Sequence, residues 1–158
     1  MSREITFRVN GLQRRVTADD DVPLIHVLRN ELDLKATRFG CGEEQCGACM
    51  VLLDGKPAFS CTLPAGDAAG RSIETAESVA DGAHPLYRAF LDEQAGQCGY
   101  CLSGILLSAK ALLDANPTPT RGEIVAALEP HLCRCGAHNR IIRAIERAGA
   151  AIRGDLAA

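Results

Sequence analysis

Eight cysteines fall into two sets of four along the 158-residue sequence: Cys41, Cys46, Cys49 and Cys61, then Cys98, Cys101, Cys133 and Cys135. Thiols in such numbers form disulfides, perform redox exchange or bind metal, and the surroundings of the chain help to choose among these. Met1 to Asn10 alternates charged and apolar residues. It lacks the basic stretch, continuous apolar run and small-residue cleavage site of an export signal. The segment therefore reads as the start of the fold, and the chain as cytoplasmic, meeting a membrane only by way of a partner. Thiols stay reduced there, so metal ligation is the expected chemistry.

The first set has the spacing Cys-x4-Cys-x2-Cys-x11-Cys. Its first three members carry the spacing of plant-type 2Fe-2S ligation. Four thiolates must surround two irons, and a short loop supplies three of them only by wrapping tightly. Gly40, Gly42 and Gly47 give it that freedom and let backbone amides approach the sulfurs. A structural zinc site ordinarily uses two short Cys-x2–4-Cys knuckles held apart by a longer stretch. Here three candidate ligands crowd one loop instead.

The second set pairs Cys98-x2-Cys101 with Cys133-x-Cys135 across 31 intervening residues. By itself this spacing suits zinc, an iron-sulfur cluster or a redox dithiol. A dithiol at Cys98 and Cys101 would leave Cys133 and Cys135 unexplained. A second one-electron centre would instead form a relay with the first.

The surrounding pattern shows what must hold these residues in place. Ile5, Phe7 and Val9 alternate with polar neighbours, Asn10-Gly11 reads as a tight turn, and Leu12 to Val16 returns as a second strand. Asp21 with Pro23 reads as the start of a short helix bearing Leu24, Val27, Leu28 and Leu32. The cysteine loop, Phe39 to Cys49, precedes strands at 50–53 and 56–59, and a further strand is expected at 71–74. Beyond about residue 80 the apolar period lengthens to that of a helix. His84-Pro85 opens one helix and Cys101 another; Thr120-x-x-Glu123 forms a capping box, and a last helix carries Ile141, Ile145, Ala148 and Ile152. Strands followed by helices give an α+β class, with a joint near 75–84 and domains assigned to 1–78 and 79–158.

Bulk properties narrow the functions. Hydrophobic residues make up 47% of the chain, enough for a packed core, and the net charge of −3 includes no basic block, which argues against nucleic-acid binding. No apolar run approaches the roughly 20 residues needed to span a bilayer. With aromatics at 4% and no Trp, the core must rest on Leu, Ile, Val and Ala.

Three segments carry a resemblance: Gly40-Cys41-Gly42-Glu43-Glu44-Gln45-Cys46-Gly47-Ala48-Cys49, Gln97-Cys98-Gly99-Tyr100-Cys101 and Leu132-Cys133-Arg134-Cys135-Gly136. In this order they resemble the small iron-sulfur subunit of the molybdenum hydroxylase (xanthine oxidase) family, over nearly the whole chain. The resemblance implies an N-terminal beta-grasp ferredoxin-like domain followed by a four-helix-bundle 2Fe-2S domain. It implies two 2Fe-2S clusters and a large partner subunit carrying a molybdopterin cofactor. Electrons would pass from that cofactor to the Cys98/Cys101/Cys133/Cys135 cluster, then to the Cys41/Cys46/Cys49/Cys61 cluster, and out to a flavin or cytochrome c acceptor. The family's pterin contacts carry over to Gln97 and Cys135.

Many relatives read Cys-Thr-Pro-Gly where this chain has Cys101-Leu102-Ser103-Gly104. They read Cys-Thr-Gly-Tyr where it has Cys135-Gly136-Ala137-His138. The departures resemble the branch that oxidises N-heterocycles such as nicotinate or isoquinoline, or aldehydes, and often uses a cytochrome c acceptor. The competing reading is a free-standing ferredoxin serving several reductases. Among single residues, His138 reads as a capping or packing group that could also tune a nearby centre. Arg134, Lys35 and Arg38 read as solvated charges able to screen a negative centre, and Tyr100 as packing around the second set.

Overall fold

A computed structural model of the chain describes residues 1–82 and 84–155. Strand β1 (Ser2–Val9) pairs antiparallel with β2 (Leu12–Asp19), and Ile5 lies opposite Val16. Asn10 and Gly11 join them with φ of 49° and 80°, the left-handed geometry that matches a two-residue turn to the twist of its strands. The device recurs at Asp54-Gly55 between β3 (Met50–Leu53) and β4 (Lys56–Phe59). With β5 (Ser72–Glu74) the sheet has the order β2-β1-β5-β3-β4, in which β5 runs parallel to β1 and antiparallel to β3.

Helix α1 (Leu24–His26) runs directly into a π-helical turn, Val27–Glu31. Leu24, Val27 and Leu28 pack on Ile5, Phe7, Val9, Val51 and Ile73 to make the sheet's own core. The helix does not use Asp21 as its cap, contrary to the sequence expectation. Pro23 holds the N-terminal position, without a side-chain cap, because its fixed φ suits a helix entry and the missing N–H costs nothing there.

The second half contributes α2 (Glu77–Ala80), α3 (Pro85–Asp92), α4 (Leu102–Ala115), α5 (Arg121–Leu128) and α6 (His138–Ile152). The expected Thr120–Glu123 capping box is present in both directions. Leu86, Ile105, Leu113, Ile124, Ile141 and Ile145 form the helical core. Leu52 joins that core from β3, while its neighbours Val51 and Leu53 face the other way. All four residues of β3 are buried. One strand thus separates the two cores, and α4 packs across it. Near the expected joint, Val79 of α2 is fully buried in the helical core.

Candidate metal centres

The loop from Phe39 to Cys49 curls so that its amides face its own sulfurs. The amides of Glu43 and Gln45 donate to Cys41 Sγ at 3.4 and 3.2 Å, and that of Cys41 to Cys46 Sγ at 3.4 Å. Gly42 and Gly47 have φ of 75° and 71°, a region costly for other residues. A Cβ on Gly40 would stand 2.6 Å from Cys46 Sγ. The hairpin of β3 and β4 supplies the remaining pair: Cys49 precedes one strand, Cys61 follows the other, and both are buried. The Ser60 hydroxyl closes this end by donating to the Cys49 carbonyl at 2.6 Å.

These surroundings split the thiols electrostatically. The Glu43 amide is the main reason that Cys41 is lowered to about 7. Burial, reinforced by Cys61, pushes Cys49 up to about 12. A buried thiolate needs positive charge beside it, and iron would supply it. Cys41 interacts with Cys46, and Cys49 with both Cys61 and Cys46, so the four thiols act on one another as a group.

The second set is likewise a group. Cys98 and Cys101 occupy the turn that enters α4, and Cys133 and Cys135 the loop before α6. Cys98 interacts with Cys135 and Cys133, and Cys101 with Cys133 and Cys98. The Tyr100 amide, with Cys135, lowers Cys98. Burial opposes ionisation of Cys133, but Cys101 and the amides of Cys135, Ala137 and Gly136 outweigh it. Burial pushes Cys101 up to about 12. Gln97 Nε2 donates to the Cys135 carbonyl at 3.0 Å, so these two residues stand side by side.

In each place four cysteines that interact with one another, in the first set with inward amides and closely fitted glycine backbone, form a donor set that fits a 2Fe-2S cluster, which is held by four thiolates. A zinc centre gathers four ligands on one point.

The two sets meet at a seam. The Leu132 amide donates to the Cys46 carbonyl at 3.1 Å, and Ser103 Oγ to the Ala48 carbonyl at 3.0 Å. A Cβ on Gly104 would lie 2.0 Å from the Gly47 oxygen. His131 fills the adjoining space, with Nε2 2.7 Å from Ser108 Oγ. Its burial lowers the imidazole to about 4, against an opposing influence of the Gly47 backbone. A cavity of about 310 Å³ beside the seam is lined by residues of both sets, including Cys41, Cys46, Cys98 and Cys133.

Tyr100 donates its hydroxyl to the Phe39 carbonyl and lies under the Arg38 guanidinium, so it ties the sets together as well as packing beside one. Arg134 is exposed on the cavity rim, Lys35 pairs with Asp33, and His138 begins α6 on the surface. Sequence reasoning gave no structural role to Ser103, Gly104, Ser108 or His131. The available signal was a row of small residues, Gly104 and Ser108 one helical turn apart on an otherwise apolar face, which marks close approach of another backbone.

Residues 7–77 match the family described as 2Fe-2S iron-sulfur cluster binding domain, and residues 74–146 match the [2Fe-2S] binding domain. Two such domains on one chain make it an electron-transfer iron-sulfur protein. A nicotinate dehydrogenase subunit from Pseudomonas putida is 48% identical over 150 residues, spanning 94% of this chain and 96% of its own. The alpha subunit of isoquinoline 1-oxidoreductase from Brevundimonas diminuta is 47% identical over 146 residues, spanning 91% and 96%. Among solved structures, quinoline 2-oxidoreductase from Pseudomonas putida 86 superposes with a TM-score of 0.90 at 36% identity, covering 98% of this chain and 99% of that one. Aldehyde oxidoreductase from Desulfovibrio gigas superposes at 0.92 and 34% identity, where the match takes in only 18% of the longer chain. The chain belongs to the small iron-sulfur subunits of the molybdenum hydroxylase family.

Proposed function

We propose that Cys41, Cys46, Cys49 and Cys61 hold one 2Fe-2S cluster, and Cys98, Cys101, Cys133 and Cys135 a second. In this reading the chain relays electrons from the molybdopterin site of a large partner subunit to a flavin or cytochrome c acceptor. When bound, each cluster supplies storage for a single electron. Residues 1–78 act as a beta-grasp ferredoxin-like domain and 79–158 as a four-helix-bundle domain, in a cytoplasmic complex. The observation that carries the reading is the seam: the Cys46 carbonyl and the Leu132 amide at 3.1 Å give a connection of covalent bonds and one hydrogen bond from the first set to Cys133.

Gln97 and Cys135 are the residues we assign to the pterin. Gln97 spends one N–H on the Cys135 carbonyl and keeps its oxygen and second N–H for a partner group. Its anchored amide is thereby pre-oriented. Tyr100 and Leu132, 45% and 65% exposed, flank the second set with apolar surface, as a covered face requires. A ferredoxin that diffuses freely among reductases would keep this rim polar. The names of the relatives favour an N-heterocyclic substrate for the complex, bound on the other subunit.

The test is affinity purification of this chain at native expression, with metal analysis of what accompanies it. A large subunit carrying molybdenum should co-purify. Recovery of the fully iron-loaded chain alone, in every buffer tried, would instead fit the free-standing ferredoxin.

A further inference from the structure

His131 is 6% exposed, and its ring lies where three backbones converge. A Cβ built on Gly47 would stand 2.2 Å from its Nδ1 and 2.6 Å from the Pro130 carbonyl oxygen, and one on Gly104 would stand 3.0 Å from its Cε1. The imidazole therefore occupies the gap left by two glycines on different elements. Nε2 is held by Ser108 Oγ from α4 at 2.7 Å, and Nδ1 lies against the backbone of Gly47. An apolar side chain of the same size would leave the buried Ser108 hydroxyl without its partner, so shape alone does not account for a histidine here.

The neighbouring residues show what the ring controls. The next amide, on Leu132, makes the 3.1 Å bond to the Cys46 carbonyl, and the residue after that is Cys133. On the opposite side, Gly47 touches the ring, Cys46 accepts the bond, and Ala48 accepts from Ser103 at 3.0 Å. Ring, bridge and candidate ligand are thus consecutive on both sides of the seam. We infer that His131, braced by Ser108, is a positioning residue that fixes the separation and hydrogen-bond contact between the two cluster loops, and through them the rate of electron exchange between the clusters.

This inference rests on the two-cluster reading, and its test separates the two. The Ser108 hydroxyl bonds His131 and is not itself one of the eight candidate ligands, so Ser108→Ala should release the brace while keeping both clusters. Ser108→Thr retains the hydroxyl, and His131→Leu retains bulk without the Nε2 bond. Each is prepared in the complete complex, with iron content and visible spectrum measured first. The interaction between the two reduced spins is then read from low-temperature paramagnetic resonance, and inter-cluster transfer by rapid freeze-quench. Ser108→Ala and His131→Leu should weaken the spin interaction and slow transfer several-fold, and Ser108→Thr should restore both. Fully loaded Ser108→Ala protein with wild-type spin interaction and transfer rate would overturn the inference. Should His131→Leu fail to retain iron, the Ser108 pair decides alone. A wild-type chain lacking a second spin would count against the two-cluster reading itself.

Discussion

The Leu132 amide reaches the Cys46 carbonyl at 3.1 Å, so a residue adjoining one cysteine set is bonded to a member of the other. The stretch of chain between Cys46 and Leu132 takes in α2 to α5, and the contact exists only because α4 lies across β3. Folding of the two halves and connection of the two centres are therefore one structural event. Ser103→Ala removes a neighbouring tie, the bond to the Ala48 carbonyl. That carbonyl keeps the Arg38 amide as a donor. The expected cost is about 0.5–1.5 kcal/mol of stability, read as a lower denaturation midpoint with both clusters retained.

Gly104→Ala should be more severe. Alanine ordinarily favours a helix interior over glycine by about 1 kcal/mol. Here the added Cβ would lie 2.0 Å from the Gly47 oxygen, a backbone atom that cannot rotate away. Overpacking of this kind costs about 1–3 kcal/mol or more, so the clash wins. Thermal unfolding should shift downward, and a neutral or stabilising result would mean that α4 and the cysteine loop are not in contact.

Thr120→Ala tests the helical domain away from the centres. It deletes the side-chain acceptor for the Glu123 amide at 3.2 Å and the hydroxyl bond to the Glu123 carboxylate. Loss of an N-cap costs about 1 kcal/mol. Urea denaturation should show that change with an unaltered visible spectrum.

How much of this was legible in the sequence depends on the range of the interaction involved. The hairpins at Asn10-Gly11 and Asp54-Gly55, the alternation of Ile5, Phe7 and Val9 and the capping box at Thr120 are local, and each stands where its pattern predicts. The eight cysteines were visible because ligand spacing is itself a local signal. Asp21 misled, because an acidic residue before an apolar run resembles a cap whether or not the chain enters the helix there. Leu52 was illegible as a link between the cores, since a run of four apolar residues does not say which partner covers each face. The wedge of His131 was hidden for the same reason: Gly47, Gly104 and Ser108 become its neighbours only after the halves dock.

His84 gives a pH dependence. Its Nδ1 accepts the Leu86 amide at the start of α3, at 3.2 Å, and burial lowers its pKa from 6.5 despite the Asp114 carboxylate beside it. With the folded form holding the ring neutral, the unfolded chain binds more protons as pH falls below about 6.5. This contribution to stability is complete above that pH and is lost on acidification toward the folded pKa. His84→Asn keeps an N-cap acceptor without a titrating ring. The stability difference between the variant and wild type should move in favour of the variant between neutral and mildly acidic pH, and a pH-independent difference would contradict the assignment.

Cys98→Ser separates the centres. Cys98 belongs to the second set, and the first set's four thiols lie on a different loop and hairpin. The substitution should abolish transfer from substrate to any acceptor in the full complex while leaving the spectrum of the first cluster in place. Unchanged turnover would reject the proposed order of the relay.

The central claim is two 2Fe-2S centres on one chain, in keeping with its two cluster-binding domains. Paramagnetic resonance of anaerobically prepared protein, fully reduced and quantified against its iron content, tests it most directly. The expected result is two distinct rhombic signals that integrate to two spins per chain. One signal integrating to a single spin, or zinc in place of iron at either set of cysteines, would contradict it.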